Sequence, residues 1–161
     1  MGRNGLKWVI LESFSPKKAV TRMLMGEYDY AIDEKGRLNF PAKFREEMGE
    51  SFVVARWLDN CLVAYPTEKW QEQAEHLKAL AGIKNRLIVS YLFASGVVVQ
   101  PDKQGRILLP GGHREHAKLS KEVTIIGVGD HAEIWNTQAW HEAMDTVDNA
   151  KLEAALLEMG L

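Results

Sequence analysis

The feature that most constrains this chain is a stretch of sequence that occurs twice. Residues 33–46 read DEKGRLNFPAKFRE, residues 102–115 read DKQGRILLPGGHRE, and six of the 14 aligned positions are identical. After a one-residue insertion in the second copy, VVARWLDNCLVAY (53–65) aligns with VTIIGVGDHAEIW (123–135). A long period that is present only twice indicates a tandem duplication and not a solenoid.

Each copy predicts the same order of elements. Two short strands flank a Gly-containing loop, a short helix follows, and a hairpin then leads into an amphipathic helix. Pro41 and Pro110 suit the first turn of the short helices, which has no use for their missing N–H. Thr67 and Thr137 are predicted to cap the terminal helices. The predicted strands are 28–32, 37–40, 52–56, 61–65, 96–100, 106–109, 123–129 and 132–135, and the predicted helices are 41–49, 67–80, 84–94, 110–119 and 137–147.

The predicted fold class is α+β and β-rich, with two tandem modules and short flanking helices. A unit of about 45 residues rarely stands alone, so the two copies are expected to pack as a pseudo-symmetric pair. Exposed strand edges favour further assembly. The predicted organisation is an N-terminal extension (1–22) outside the repeats, module one (27–74), connecting helices (75–95), module two (96–144) and a helical tail (145–161).

Composition excludes several classes of protein. With 46% hydrophobic residues the chain can bury a core, yet no apolar run approaches the ~18 residues of a membrane span. The basic start MGRNGLK is followed by WVIL, which is shorter than the roughly 7–15 apolar residues of a secretory signal. A single cysteine, Cys61, forms no internal disulfide, which fits a reducing compartment. We therefore expect a cytoplasmic protein without membrane association.

Charge is distributed unevenly along the chain. The formal net charge of −2 argues against a uniformly basic nucleic-acid binder. Residues 1–22 carry five Lys or Arg against one acid, residues 23–129 carry 14 of each sign, and residues 130–161 carry one Lys against seven acids. Any binding of anions is therefore expected at local clusters, away from the acidic C-terminal part.

The repeated loop places an acid and a base four residues apart across a glycine. The residues are Asp33, Gly36 and Arg37 in copy one and Asp102, Gly105 and Arg106 in copy two. An Asp at the start of a turn accepts hydrogen bonds from following backbone N–H groups and can pair with the Arg. The Asp and Gly are therefore predicted to fix the loop, and an oriented Arg at its tip suits phosphate or guanine. The simpler interpretation, a charged hairpin turn closed by a salt bridge, stays open.

Further basic residues accompany both loops. Lys35 and Lys103 lie within the loops and suit phosphate contacts. The predicted helix after the first loop adds Lys43 and Arg45, whereas the second retains Arg114 but has a glycine in place of Lys43. Copy two is therefore expected to be the weaker electrostatic partner.

Other candidate sites are weaker. His113 and His116 have a spacing that could bring two imidazoles to a metal, but they align with Phe44 and Glu47, which are not a ligand pair. The run GVGD (127–130) predicts a hairpin turn, since strands flank it on both sides. We predict no metal, no cofactor and no catalytic group.

The repeated motifs resemble those of the MraZ family. The resemblance rests on MLMGEYDYAIDEKGRLNFPAKFRE from Met23, DKQGRILLP from Asp102 and KEVTIIGVGDHAEIW from Lys121, and it covers residues 23 to about 145. It implies two AbrB/SpoVT-type swapped-hairpin modules in a bacterial transcription regulator that binds DNA through D-x-x-x-R loops. It further implies ring-like oligomers and recognition of short repeats upstream of the protein's own gene, which typically heads the division and cell-wall cluster. Residues 1–22 depart from the family pattern, since members usually begin at the equivalent of Met23.

The resulting prediction is a sequence-specific, non-catalytic regulator of transcription. Its expected partners are double-stranded DNA and further copies of itself, and its expected place is the nucleoid. Two alternatives stay open: an oligomeric scaffold whose Asp–Arg loops hold subunits together, and a small hydrolase that uses carboxylates.

Overall fold

The computed structural model describes residues 23–161, and the predicted extension lies outside these residues. The strands are β1 (Leu24–Ala31), β2 (Arg37–Asn39), β3 (Phe52–Arg56), β4 (Leu62–Pro66), β5 (Val97–Val99), β6 (Arg106–Leu108), β7 (Glu122–Gly129) and β8 (Ala132–Asn136). The helices are α1 (Ala42–Met48), α2 (Thr67–Ala81), α3 (Arg86–Ala94), α4 (Gly111–His116), α5 (Thr137–Asp145) and α6 (Asn149–Glu158). The predicted α+β, β-rich class is confirmed.

The two copies of the repeat exchange strands. Six strands form one antiparallel sheet in the order β1-β7-β8-β4-β3-β5, while β2 and β6 form a separate two-stranded ribbon. β1 of the first copy pairs with β7 of the second, and β5 of the second pairs with β3 of the first. Each copy thus gives its first strand to the hairpin of the other, which confirms the pseudo-symmetric pair of swapped hairpins.

One hydrophobic core joins the ribbon to the sheet. Leu38 and Ile107 face each other across the ribbon and are 0% and 1% exposed. Phe40, which follows β2, packs against Phe52 of β3 with ring centroids 4.8 Å apart. Burial of one such side chain contributes roughly 1.5–3 kcal/mol, so these contacts hold the ribbon and its two loops on the sheet.

Several local predictions are corrected. β1 begins at Leu24, four residues before the predicted start, because pairing with β7 extends the ladder beyond the apolar run. The Thr caps are wrong: Pro66 and Asn136 hold the cap positions, and the Asn136 side chain accepts the N–H of Ala139 at 3.0 Å. Thr137 is the first residue of α5, and its hydroxyl shares a hydrogen bond with Thr124.

The prolines and the remaining helices differ less from the prediction. Pro41 and Pro110 directly precede α1 and α4 with ψ of 132° and 156°, so they are cap residues instead of first-turn residues. α3 begins at Arg86 and not at Lys84. Among residues 23–161, no helix is long and apolar enough to cross a membrane.

Candidate nucleic-acid interface

Each repeated loop is a tight turn closed by backbone hydrogen bonds. In the first loop the N–H of Asp33 donates to the carbonyl of Arg37 at 3.1 Å, and the N–H of Gly36 donates to the carbonyl of Asp33 at 3.0 Å. The corresponding bonds of the second loop both measure 2.9 Å. The turn therefore brings the first and fifth residues of the motif side by side.

The Asp33 carboxylate is bonded three times within its own loop. Its Oδ1 accepts the backbone N–H of Lys35 at 2.9 Å and of Arg37 at 2.8 Å. Its Oδ2 accepts the Nε–H of Arg37 at 2.6 Å. The backbone N–H of Arg37, followed by its guanidinium, holds the pKa of Asp33 below its ordinary value. The carboxylate is thus charged at neutral pH and orients the guanidinium of Arg37.

The second loop repeats this pattern. Asp102 Oδ1 accepts the backbone N–H groups of Gln104 and Arg106, both at 2.9 Å, and Oδ2 accepts the Arg106 Nε–H at 3.0 Å. The backbone N–H of Arg106 is again the main reason that the pKa of Asp102 is lowered. The two copies therefore present two similarly oriented arginines.

A second arginine from each copy packs against the loop of the other copy. A Cβ on Gly36 would lie 2.8 Å from Nε of Arg114, and a Cβ on Gly105 would lie 2.7 Å from Cζ of Arg45. The two glycines have φ of +87° and +80°, so both space and backbone conformation exclude a side chain. Arg45 and Arg114 are half-buried, and their Nε atoms donate to backbone carbonyls at 3.0 and 3.1 Å.

Backbone bonds reinforce the same crossing between the copies. The N–H of Phe40 donates to the carbonyl of Gly105 at 3.0 Å, and the N–H of Leu109 donates to the carbonyl of Gly36 at 2.9 Å. Each loop is consequently held by its own Asp and by the other copy.

The β2–β6 ribbon joins the two loops into one surface. Arg37 pairs with Leu108, Leu38 with Ile107, and Asn39 with Arg106. Arg37 and Arg106 are therefore diagonal neighbours, with Cα atoms about 7–8 Å apart. Among residues 23–161 both arginines use only Nε–H in a side-chain hydrogen bond, and their terminal nitrogens donate to no acceptor there.

The predicted lysines lie around this ribbon. Lys35 and Lys103 are exposed within the loops, and Lys43 is exposed on α1. The counterpart of Lys43 on α4 is Gly112, which is also exposed. Contacts of these cations with DNA stay predictions.

The two histidines do not converge. His113 is 7% exposed, and its Nε2 lies 2.6 Å from the carbonyl oxygen of Ser95. His116 Nε2 lies 3.3 Å from the carbonyl oxygen of Trp57. His113 occupies the position that Phe44 has in the first copy, so it is a core residue with a hydrogen-bond partner. In the part of the chain from residue 23 onward, no group of three His, Cys, Asp or Glu side chains could hold a metal ion.

Cys61 and the tryptophans that the structure describes pack in two small clusters against the sheet. Cys61 is 1% exposed beside Trp135, and burial raises the pKa of its thiol. Trp135 and Trp140 pack edge to face at 5.3 Å, and Trp70 packs on Tyr65 at 5.7 Å. These rings support the sheet and do not form a platform for base stacking.

Sequence reasoning missed the contact between the copies. It placed Arg45 and Arg114 on a basic track, whereas each also packs on the glycine of the opposite loop. The signal was the identical spacing of eight residues from Arg37 to Arg45 and from Arg106 to Arg114. It also overlooked Asn39, which shares the exposed face of the ribbon with the loop arginines.

Comparison with known proteins agrees with the duplicated architecture. A family model described as "MraZ protein, putative antitoxin-like" matches residues 23–89 and again residues 92–159. The chain belongs to the MraZ family. It is 47% identical over 128 residues to the transcriptional regulator MraZ of Caldanaerobacter subterraneus subsp. tengcongensis, which covers 78% of this chain and 90% of the relative.

Other MraZ relatives are similar over comparable lengths. The transcriptional regulator MraZ of Moorella thermoacetica is 47% identical over 122 residues, covering 74% of this chain and 85% of the relative. That of Pediococcus pentosaceus is 41% identical over 143 residues, covering 86% of this chain and 100% of the relative. The likeness thus includes both loops and the sheet that supports them.

Proposed function

We propose that the protein, as a transcriptional regulator of the MraZ family, acts by binding specific sequences of double-stranded DNA through its two D-x-x-x-R loops. The observation that carries this proposal is the pair of oriented guanidinium groups, Arg37 and Arg106, on one exposed ribbon. The major groove admits a two-stranded β-ribbon, and guanine presents two acceptors there that match the arginine fork.

The Asp of each loop orients the guanidinium of the Arg but also cancels its positive charge. An arginine side chain carries about 2 kcal/mol of rotamer entropy, part of which is lost when the side chain is fixed on a base. The bond from Asp33 restricts Arg37 before DNA arrives. Each Asp–Arg pair has no formal net charge, so attraction to phosphates comes from the flanking cations: Lys35, Lys43, Arg45, Lys103 and Arg114.

We further propose that the protein forms a ring-like homo-oligomer. The end of α2, the start of α3 and the turn between them expose large apolar side chains, among them Leu80 at 70%, Ile83 at 93% and Leu87 at 68%. An apolar patch of this kind on a small protein commonly marks an interface. Repetition of the loops around a ring would raise their effective concentration along DNA and compensate for a weak single ribbon.

Operator repeats upstream of the protein's own gene and association with the nucleoid complete the proposal, and both rest on the resemblance to the family. The scaffold alternative has less support. Its loops would have to join subunits, whereas Asp33 and Asp102 are each bonded to the arginine of their own loop.

The test is a titration of a labelled duplex from the upstream region, beside a scrambled duplex of equal length and over a series of salt concentrations. The wild type should prefer the upstream duplex, and its affinity should fall steeply with salt. Arg37→Ala should bind about 5-fold to 150-fold more weakly, since one bidentate base contact is worth about 1–3 kcal/mol. Lys151→Ala, which removes one positive charge from the exposed face of α6, is the matched control and should bind normally.

Two outcomes would contradict the proposal. Equal affinity for the upstream and scrambled duplexes would exclude specific binding, and equal affinity of the wild type and Arg37→Ala would exclude the loops. Light scattering on the same samples tests assembly, and a strict monomer at tens of micromolar would refute the ring. A change of mass in Arg37→Ala without a change in DNA binding would favour the scaffold.

A further inference from the structure

The β2–β6 ribbon presents four side chains on its outer face. In each strand the middle residue is buried, Leu38 at 0% and Ile107 at 1% exposure, and its neighbours point away from the core. The outward residues are Arg37, Asn39, Arg106 and Leu108. Any ligand that contacts the loop arginines from this side also meets the other two side chains.

These four residues form a two-by-two patch. Arg37 lies directly opposite Leu108, and Asn39 lies directly opposite Arg106. Cβ atoms of directly opposite residues are about 4.5–5.5 Å apart, and diagonal neighbours are about 7–8 Å apart. At roughly 3.4 Å per base step, the patch spans about two steps of a DNA duplex.

The patch breaks the pseudo-symmetry of the fold. When one copy is superposed on the other, Arg37 coincides with Arg106, but Asn39 coincides with Leu108. Leu108 is 60% exposed, so folding of the core does not account for an apolar residue there. The asparagine at the equivalent place in the first copy indicates that the backbone accepts a polar side chain.

We propose that Asn39 and Leu108 contact base edges and give the otherwise symmetric ribbon a direction on DNA, an inference that rests on the proposed function. The Asn39 amide carries the donor and acceptor that match N6 and N7 of adenine, while Leu108 matches the C5-methyl group of thymine. Arg37 then recognises a guanine next to the thymine, and Arg106 recognises a guanine next to the adenine. The sequence under one chain is consequently not an inverted repeat, although the fold is nearly two-fold symmetric.

The experiment pairs changes in the protein with single-atom changes in the DNA. The upstream duplex is prepared with single thymines replaced by uracil, which lacks only the methyl group, and with single adenines replaced by 7-deazaadenine, which lacks N7. Each duplex is titrated with the wild type, Asn39→Ala and Leu108→Ala. Val98→Ala, another exposed apolar residue but on β5, is the matched control.

The expected result is coupling at one position for each residue. One uracil substitution should weaken binding of the wild type and of Val98→Ala about 3-fold to 10-fold and leave Leu108→Ala unaffected. One 7-deazaadenine substitution should weaken the wild type about 10-fold or more and leave Asn39→Ala unaffected. Each comparison is between two duplexes bound by the same protein sample. The fraction of a variant that is folded therefore cancels from the ratio of affinities.

The outcomes separate this inference from the proposed function. If every base substitution affects the wild type and the variants equally, Asn39 and Leu108 do not contact bases, yet a preference for the upstream duplex keeps the proposed function. If the wild type binds scrambled DNA equally well, the proposed function itself fails. A loss of oligomer mass in Leu108→Ala would assign this residue to a subunit contact and overturn its role in base recognition.

Discussion

Replacement of Gly36 by alanine tests the contact between the two copies. Gly36 has φ of +87°, and an added Cβ would lie 2.8 Å from both Nε of Arg114 and the carbonyl oxygen of Leu109. The guanidinium can move, but the carbonyl oxygen belongs to backbone whose own N–H donates to Gly36. The loop therefore cannot accept the methyl group without losing one of these bonds.

The expected loss of stability has three contributions. The positive φ costs an alanine about 1–2 kcal/mol, and the lower entropy of the unfolded chain returns about 0.4–1 kcal/mol. Displacement of Arg114 removes a charged hydrogen bond to the carbonyl of Leu109, worth about 1.5–3 kcal/mol. The free energy of unfolding should fall by about 2–4 kcal/mol, which lowers Tm by about 5–15 °C in a chain of this size.

Gly129→Ala is the matched control. Gly129 has nearly the same backbone angle, φ of +92°, but no atom within 4 Å of an added Cβ. Its substitution should cost about 1 kcal/mol or less. Both variants are unfolded in urea at equal protein concentration and followed by circular dichroism. Equal midpoints for the two variants would show that the contact of Arg114 with the first loop contributes nothing to stability.

Three further predictions concern charge and burial. Asp33→Asn should weaken operator binding in the duplex titration, because the loss of guanidinium orientation outweighs the favourable change of charge near phosphate. Asp102→Asn should weaken it less, since copy two has fewer cations. Stronger binding by Asp33→Asn would show that plain electrostatics dominates. The pKa values of both carboxyls lie below their ordinary value of 3.8 in the folded protein, so their contribution to stability is present above that pH and is lost as the pH falls through the folded pKa. Between about pH 5 and pH 2.5, Tm should therefore fall more steeply for the wild type than for the variant that carries both Asp33→Asn and Asp102→Asn. Parallel falls in Tm would contradict this. Cys61 should react with a thiol reagent at about pH 8 only after addition of urea, because burial both blocks the thiol and raises its pKa; rapid labelling of the native protein would contradict this packing.

The repeated loop could be predicted in detail because its structure is local. An Asp, a Gly and an Arg within five residues determine which N–H groups the carboxylate meets, and these bonds need nothing from the rest of the chain. The two hairpins could also be predicted from the sequence, since residues that tolerate positive φ lie between apolar strands. Asp59 and Asn60 at one turn and Gly129 at the other do adopt positive φ.

The contacts between the copies could not be derived from pattern alone. The short apolar runs at 28–32 and 96–100 predict two strands, but nothing local specifies that each strand pairs with the hairpin of the other copy. The cap of α5 failed for a different reason. Asn136 and Thr137 are adjacent, and both residue types suit a cap. Asn136 caps the helix, whereas the Thr137 hydroxyl is hydrogen-bonded to Thr124, a neighbour in space that the local sequence does not reveal.

The two arginines of each copy have separate tasks, and this separation answers why the motif extends beyond the loop. Arg37 is fixed by an acid of its own loop, so its direction is a local property. Arg114 packs on Gly36 from the other copy, so the position of that loop is a property of the pair. Because the reciprocal contact of Arg45 on Gly105 fixes the second loop in the same way, neither Arg37 nor Arg106 can shift along the ribbon alone. The copies can therefore differ at Asn39 and Leu108, and at Lys43 and its counterpart Gly112, while the spacing between Arg37 and Arg106 stays constant.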